Sequence, residues 1–341
     1  RRLQTEGVIG MWSQRLGRVP GLLVAGVVLV AVVLCGAAGL AAPAWQPARP
    51  VEFVAPYAPG GGSDVLARTI ASIVEAERLS PVPLVVVNRV GGGGTVGTTY
   101  VAGKRGNPHT LLTFISGQVS GALVARGAAT WRDLTLIARL AIDEELIYVK
   151  ADSPFRTLRD VVAAAQQRPG AVTIAGTATG QEDHMVTRLF ERAAGIRLRY
   201  VPFRSGGEVM AALMGGQVDM AWANPNEAAP QWEARQVRAL AVAREARLPG
   251  MPDVPTFREQ GYDVTFEMFR GVAAPPDLPP AVVAFYETML RRMTESARWK
   301  DGYLRRYMLT DAWMGSREFT AFVARQEEMF RRILRELGLI Q

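Results

Sequence analysis

Two glycine-rich turns are the residues of this sequence best suited to hold a ligand. The first, PGGGSD at residues 59–64, would set several backbone N–H groups at the start of a helix with few Cβ atoms in the way, which suits a carboxylate or phosphate. Asp64 or Ser63 would cap that helix rather than touch the anion, and a plain tight turn with an N-cap is the competing reading. The second turn, residues 91–94, strengthens the ligand reading. Successive strand-to-helix turns of a parallel sheet open on one edge, where such folds bind their ligands. Gly92, Gly94 and Gly97 also satisfy G-x-G-x-x-G, but the acidic residue that a dinucleotide site requires ~20 positions on is missing, since the next carboxylate after Gly97 is Asp133. A phosphate-binding P-loop fails as well, because Arg105 follows Lys104 where Ser or Thr is needed.

Residues for covalent or acid–base chemistry are sparse. Ser116 and Ser120, in ISGQVSG, are not placed as in a G-x-S-x-G elbow, and neither histidine belongs to an H-E-x-x-H motif. A single cysteine, Cys35, with His109 and His184 cannot form an internal disulfide or the usual zinc site. His184 follows Glu182 and Asp183 in a predicted first helical turn, where it either contacts a ligand or serves as a polar helix-start residue. His109, beside Pro108, reads as a solvated loop residue, and Met210 and Met214 as helix core. The expectation is no catalytic set, no metal and no cofactor.

The elements that must position these turns alternate. A short strand at 51–55 leads through the first turn into an amphipathic helix from Val65, and a buried strand at 84–87 leads through the second turn into a helix from Thr95, with a strand at 110–115 beyond. A second series begins after a strand at 147–150. Thr157 and Asp160 form a capping box for a helix to Arg168; a strand at 172–175, a turn at 176–180 and a helix at 182–194 follow, then a strand at 198–201, a turn at 202–207 and a helix at 208–214. Strands at 218–223 and 239–243 and amphipathic helices at 280–298 and 316–337 complete the chain. Alternation of this kind predicts mainly parallel sheets flanked by helices.

At 341 residues, with 49% hydrophobic and 21% charged residues, the chain is globular rather than disordered and long enough for two compact units. Its net charge of +7 does not point to nucleic acid. Arg1, Arg2, Arg15 and Arg18 against Glu6 account for part of it, the rest is dispersed, and no basic run interleaves with aromatics. Residues 21–42 carry no charge, follow Arg15 and Arg18, and end near Ala42 and Ala44, the order of a signal peptide cleaved after Ala44. An uncleaved anchor and a lipid on Cys35 are the rival readings, and all three place the remainder outside the cytoplasm.

Taken in order, VEFVAPYAPGGGSDVLAR, NRVGGGGTVGT, PFRTLRDVVAAAQQRPGAVTIAGTATGQEDH, VPFRSGGEVMAALMGGQVDMAWA, RALAVAREARLPGMPDVPTFREQGY and GVAAPPDLPPAVV resemble the Bug family, the extracytoplasmic solute receptors of tripartite tricarboxylate transporters. The resemblance runs from about Pro50 to Gln341. It implies a two-lobed type II periplasmic binding protein fold, the Venus flytrap, with residues 50–147 plus 272–341 as lobe one, 148–271 as lobe two, and crossings at 147–150 and 270–274. It implies capture of a small organic carboxylate in a periplasmic receptor, expected as a monomer, and delivery to a membrane permease; a sensor docking on a signalling ectodomain is the alternative. Tyr57, Pro59, Gly61, Gly62, Ser63 and Asp64 match the family's first ligand loop, Gly92, Gly93, Gly94 and Thr95 the second, and Ser116 with Gly117 the third. Thr177, Ala178, Thr179, Gly180 and His184, with Phe203, Ser205 and Gly206, match the opposing lobe, whose turn is expected to add donors on closure. Val90, Thr95 and Phe203 depart from the family's usual Pro, Asn and Tyr, which leaves the far end of the ligand open.

Overall fold

The computed structural model describes Trp45–Gln341 apart from residue 126, so the signal-peptide reading of residues 1–44 falls outside the described residues. Strand β1 (Val51–Ala55) buries its valines and phenylalanine and hands the chain to helix α1 (Gly62–Ala76). Leu66, Ile70, Ile73 and Val74 of α1 recur on one face, are buried, and at about 1.5–3 kcal/mol each hold the helix on its sheet. Strand β2 (Leu84–Asn88) leads to α2 (Thr95–Ala102), and β3 (Thr110–Ile115) to α3 (Ser116–Val124). β1 lies between β2 and β3, parallel to both, so the starts of α1, α2 and α3 share one edge of the sheet.

The long strand β4 (Thr135–Asp143) ends this first series, and β5 (Leu146–Lys150) opens a second sheet. There α4 (Leu158–Gln167), β6 (Thr173–Thr177), α5 (Glu182–Ala194), β7 (Arg199–Phe203), α6 (Gly206–Met214), β8 (Met220–Ala223), α7 (Pro225–Glu233) and β9 (Val237–Val242) follow, with strand order β7-β6-β8-β5-β9. The capping box holds: the Thr157 hydroxyl accepts the Asp160 N–H, and Asp160 accepts the Thr157 N–H at 2.9 Å. Gly195, at φ 63°, ends α5 and lets the Ile196 N–H close on Glu191.

The chain then returns. β10 (Met268–Ala274) inserts antiparallel between β3 and β4, α8 (Pro280–Glu295) packs on α1 and β4, and β11 (Thr310–Gly315) and α9 (Ser316–Glu336) complete the first sheet in the order β11-β4-β10-β3-β1-β2. Both sheets are mixed: a parallel trio carries the ligand-facing turns, and antiparallel strands supply the passages between sheets. The first passage is the two-residue link Glu144–Glu145, a few residues before the expected crossing, and the return ends at Met268. A core of Phe114, Phe269, Phe319, Phe330, Phe190 and Trp222 runs from one sheet to the other, and α9 reaches α5. Among the described residues no helix is long and apolar enough to cross a membrane.

Candidate functional site

The first glycine turn folds around Asp64. Its carboxylate accepts the Gly60 N–H and Arg68 Nε at 3.0 Å each and Asn88 Nδ2 at 2.9 Å, while Asn88 also holds the Tyr57 carbonyl at 3.0 Å. Burial pushes this carboxyl up, but those hydrogen bonds outweigh it and hold the group below the usual carboxylate range. Asp64 therefore shapes the loop and does not cap the helix, and Ser63 does not cap it either: its Oγ lies 2.5 Å from Thr113 Oγ1 inside the core. The N-cap is Gly61, with no side-chain cap, so the first N–H groups of α1 remain available. Gly62 is exposed, and a Cβ there would lie 2.5 Å from Arg270 Nη1.

Gly91, Gly92, Gly93 and Gly94 all have positive φ, a run that only glycine adopts without strain. α2 starts at Gly94 without a side-chain cap, Thr95 Oγ1 donates to the Gly92 carbonyl at 2.9 Å, and the Tyr57 hydroxyl donates to the Gly93 carbonyl at 3.0 Å. From the third turn the Ser116 hydroxyl donates to Glu182 Oε1 at 3.0 Å, and Gly117 leaves room for Tyr57, Gln181 and Glu182. Tyr57, Gly62, Gly93, Ser116 and Gly117 thus converge with the start of α5 from the second sheet. Pro59 is exposed at the rim.

The opposing turn is satisfied from within, contrary to the expectation that it supplies free donors. The Thr177 N–H donates to Asp183 Oδ2 at 2.6 Å, the Ala178 N–H to the Phe203 carbonyl at 2.9 Å, and the Gly180 N–H to His184 Nδ1 at 3.2 Å. Thr179 is exposed. His184 stacks on Tyr200 at 4.3 Å and 14°, and burial lowers its pKa, so it stands as a neutral turn-holding residue. Ser205 caps α6, accepting the Glu208 N–H, and Gly206 lies against the Glu227 carboxylate. His109 is not a solvated loop residue: Trp45 packs edge-on to it at 6.0 Å and Nε2 accepts the Ala48 N–H.

Charged groups missed from sequence dominate the floor of the cleft. Arg270 and Asp143 form a buried ion pair, with Arg270 Nε also 3.1 Å from Asp143 Oδ2. Glu145, Glu182 and Asp183 are buried, whereas Glu227, though its carboxyl is closely surrounded by protein, belongs to an exposed residue. Burial, then the neighbouring Asp183 charge, pushes the Glu182 carboxyl up to about 7; burial, then Asp183, raises Glu145 well above its ordinary value. The sequence signal was the run Asp143-Glu144-Glu145 between two apolar strands. A small cavity of about 80 Å³ opens beside Gly60, Gly62, Asn226 and Arg270. A larger one, about 370 Å³, lies behind β4 and α9, but its Arg139 and Arg244 are answered by Glu267 and Glu144 at 3.5 and 3.2 Å. Volume is therefore a poorer guide to the site than the unanswered start of α1. Among the described residues no cluster is arranged to hold a metal ion.

Similarity to known proteins gives the family of the chain. A BugT protein of Bordetella pertussis strain Tohama I is 28% identical over 272 residues, 77% of this chain and 83% of its own. A Pseudomonas sp. strain P51 protein, described as a UPF0065 protein in the tcbD-tcbE intergenic region, is 32% identical over 70% of this chain and 71% of its own. An R. palustris protein solved with adipate superposes with a TM-score of 0.76 at 25% identity, covering 86% of this chain and 98% of that one. The family model for the tripartite tricarboxylate transporter family receptor, TctC, matches residues 66–339, and the chain belongs to that family.

Proposed function

We propose that the chain is a periplasmic receptor that captures one small organic carboxylate between two lobes and delivers it to a membrane permease of the tripartite tricarboxylate type. The observation that carries this reading is the uncapped, solvent-exposed start of α1 at Gly61–Gly62, on the sheet edge it shares with the exposed Gly92–Gly93 turn before α2. The α1 start offers N–H donors and the positive end of a helix dipole to an anion. Lobe one is residues 45–143 with 268–341, lobe two 146–267, and residues 1–44 are the export signal. The adipate held by the R. palustris neighbour supports the ligand class. No catalytic step belongs to this reading. Ser116 is bonded to Glu182 rather than to a histidine, and His184 spends Nδ1 on a backbone N–H.

Thermal unfolding across a panel of mono-, di- and tricarboxylates, aromatic acids and amino acids tests it. A binder present at ~100 times its Kd stabilises the fold by ~2.7 kcal/mol, a visible shift, and small-angle scattering with the same compound shows compaction. A shift given only by neutral sugars or nucleotides overturns the reading.

A further inference from the structure

Four carboxyl groups meet on the second-sheet side of the cleft. Asp183 and Glu182 come from the start of α5, Glu227 from the start of α7, and Glu145 from the link between β4 and β5, where its carboxyl adjoins that of Asp183. No Lys or Arg among the described residues lies within 4.0 Å of any of them. The nearest cation, Arg270, is committed to Asp143. Two further polar atoms point into the group without a partner: Glu145 Oε2, in a residue 1% exposed, and the Tyr148 hydroxyl, in a residue 0% exposed that faces Glu145 and Glu227. Glu227 completes the arrangement on the solvent side: it is exposed at the start of α7, next to Asn226, which lines the small cavity with Gly60, Gly62 and Arg270.

Buried acids without a counter-ion are costly as anions, so they hold their protons until a cation comes close enough to stabilise the charge. The donors that a second ligand carboxylate would need on this side are already consumed: Asp183 takes the Thr177 N–H and Glu227 takes the Asn224 N–H. On the first-sheet side the polarity is reversed, with the open start of α1 and Arg270 Nη1 behind Gly62. The cleft thus sets helix-start donors on one wall against ionisable acids that have no counter-ion on the other.

Building on the carboxylate reading above, we propose that the ligand is zwitterionic: its carboxylate sits at the α1 and α2 turns and its cationic nitrogen is received by Glu227, with Glu145 and Asp183 behind it. A matched dicarboxylate would place its second negative charge against these acids and is selected against. The preference thus comes from the acidic wall, and the carboxylate grip from the glycine wall.

Calorimetry with matched pairs tests the two walls separately: L-glutamate against glutarate, L-aspartate against succinate, and 4-aminobutanoate against butanoate. At least one amino member is expected to bind ten-fold or more tightly than its des-amino twin. Glu227→Gln and Glu145→Gln, checked for wild-type melting, are expected to shrink that ratio toward one, with 4-aminobutanoate losing affinity and butanoate keeping or gaining it. Glutarate, succinate or butanoate binding as tightly as its amino twin in every pair, or ratios unchanged in both variants, overturns the zwitterion inference and leaves the carboxylate receptor standing. Binding by none of the six compounds overturns the zwitterion inference, and the wider carboxylate panel above then decides the receptor reading.

Discussion

Arg270 and Asp143 join β10 to β4 through a charge pair that water barely reaches, with Arg270 9% and Asp143 1% exposed. In such a place the two ions compensate one another's lost hydration, and removing one leaves the other stranded. Arg270→Met is therefore expected to destabilise the protein by about 3–5 kcal/mol in denaturant unfolding, and the double variant Arg270→Met, Asp143→Leu to recover most of that loss. A double variant as unstable as the single one would show that packing of the long side chain, not charge, is what the site needs. Neither residue stands out by itself in the sequence. Asp143 reads as the end of a strand and Arg270 as a polar residue beside apolar ones, and only the antiparallel insertion of β10 next to β4 brings them together.

Helices α1 and α2 both begin on glycine; at α1 this gives up a cap and keeps the first backbone donors accessible, while at α2 the Gly91 and Gly92 carbonyls take them. Gly61 has an extended conformation, φ −74° and ψ 163°, that any residue can adopt, and its Cβ would meet only the Ala58 carbonyl at 3.2 Å. Gly61→Asp would supply the missing cap and reduce the freedom of the unfolded chain, both stabilising, against slight crowding at the Ala58 carbonyl. Its stability is expected to stay within about 1 kcal/mol of wild type while carboxylate affinity falls by more than ten-fold, because the new carboxylate occupies the anion's place. Retained affinity in a well-folded variant would mean that the turn is only a turn. These starts could be read from the sequence, since Gly-rich runs between an apolar strand and an amphipathic helix have few other uses. Other elements were hidden. β4 carries Arg139 in the middle of an otherwise buried strand, α3 is rich in Gly and Ser, and α7 contains Pro230, so none shows a clean period. Asn224-Pro225 with Glu227 was the available sign of α7, a cap followed by proline at the first helical position. The acidic wall was out of reach for a different reason: its members come from three separate stretches and meet only through the crossing between sheets.

The two sheets are held as one body by groups that face each other across the cleft, and the Ser116–Glu182 hydrogen bond is one of them. It ties the start of α3 on the first sheet to the start of α5 on the second, so the protonation of Glu182 bears on the whole molecule. Burial, followed by the charge of Asp183, raises its folded pKa to about 7 from an ordinary 4.5. A carboxyl raised in this way binds a proton more tightly when folded than when unfolded. Its contribution is fully present below pH 4.5, declines as pH rises, and is gone once the folded group has ionised above about 7. Across that window the decline amounts to roughly 3 kcal/mol for this one group. Glu182→Gln keeps an oxygen to accept from Ser116 and has no proton to lose, so its stability is expected to fall less between pH 5 and 8 than that of the wild type. The difference between the two curves, measured by thermal or denaturant unfolding without ligand, isolates Glu182 from carboxylates such as Asp64 whose folded pKa is lowered and which act at the acid end. Parallel curves for wild type and variant from pH 5 to 8 would place the ionisation of Glu182 below that range. In that case the buried acids of the cleft would already carry their charge in the empty receptor, with ordered water rather than protons balancing them until a ligand arrives.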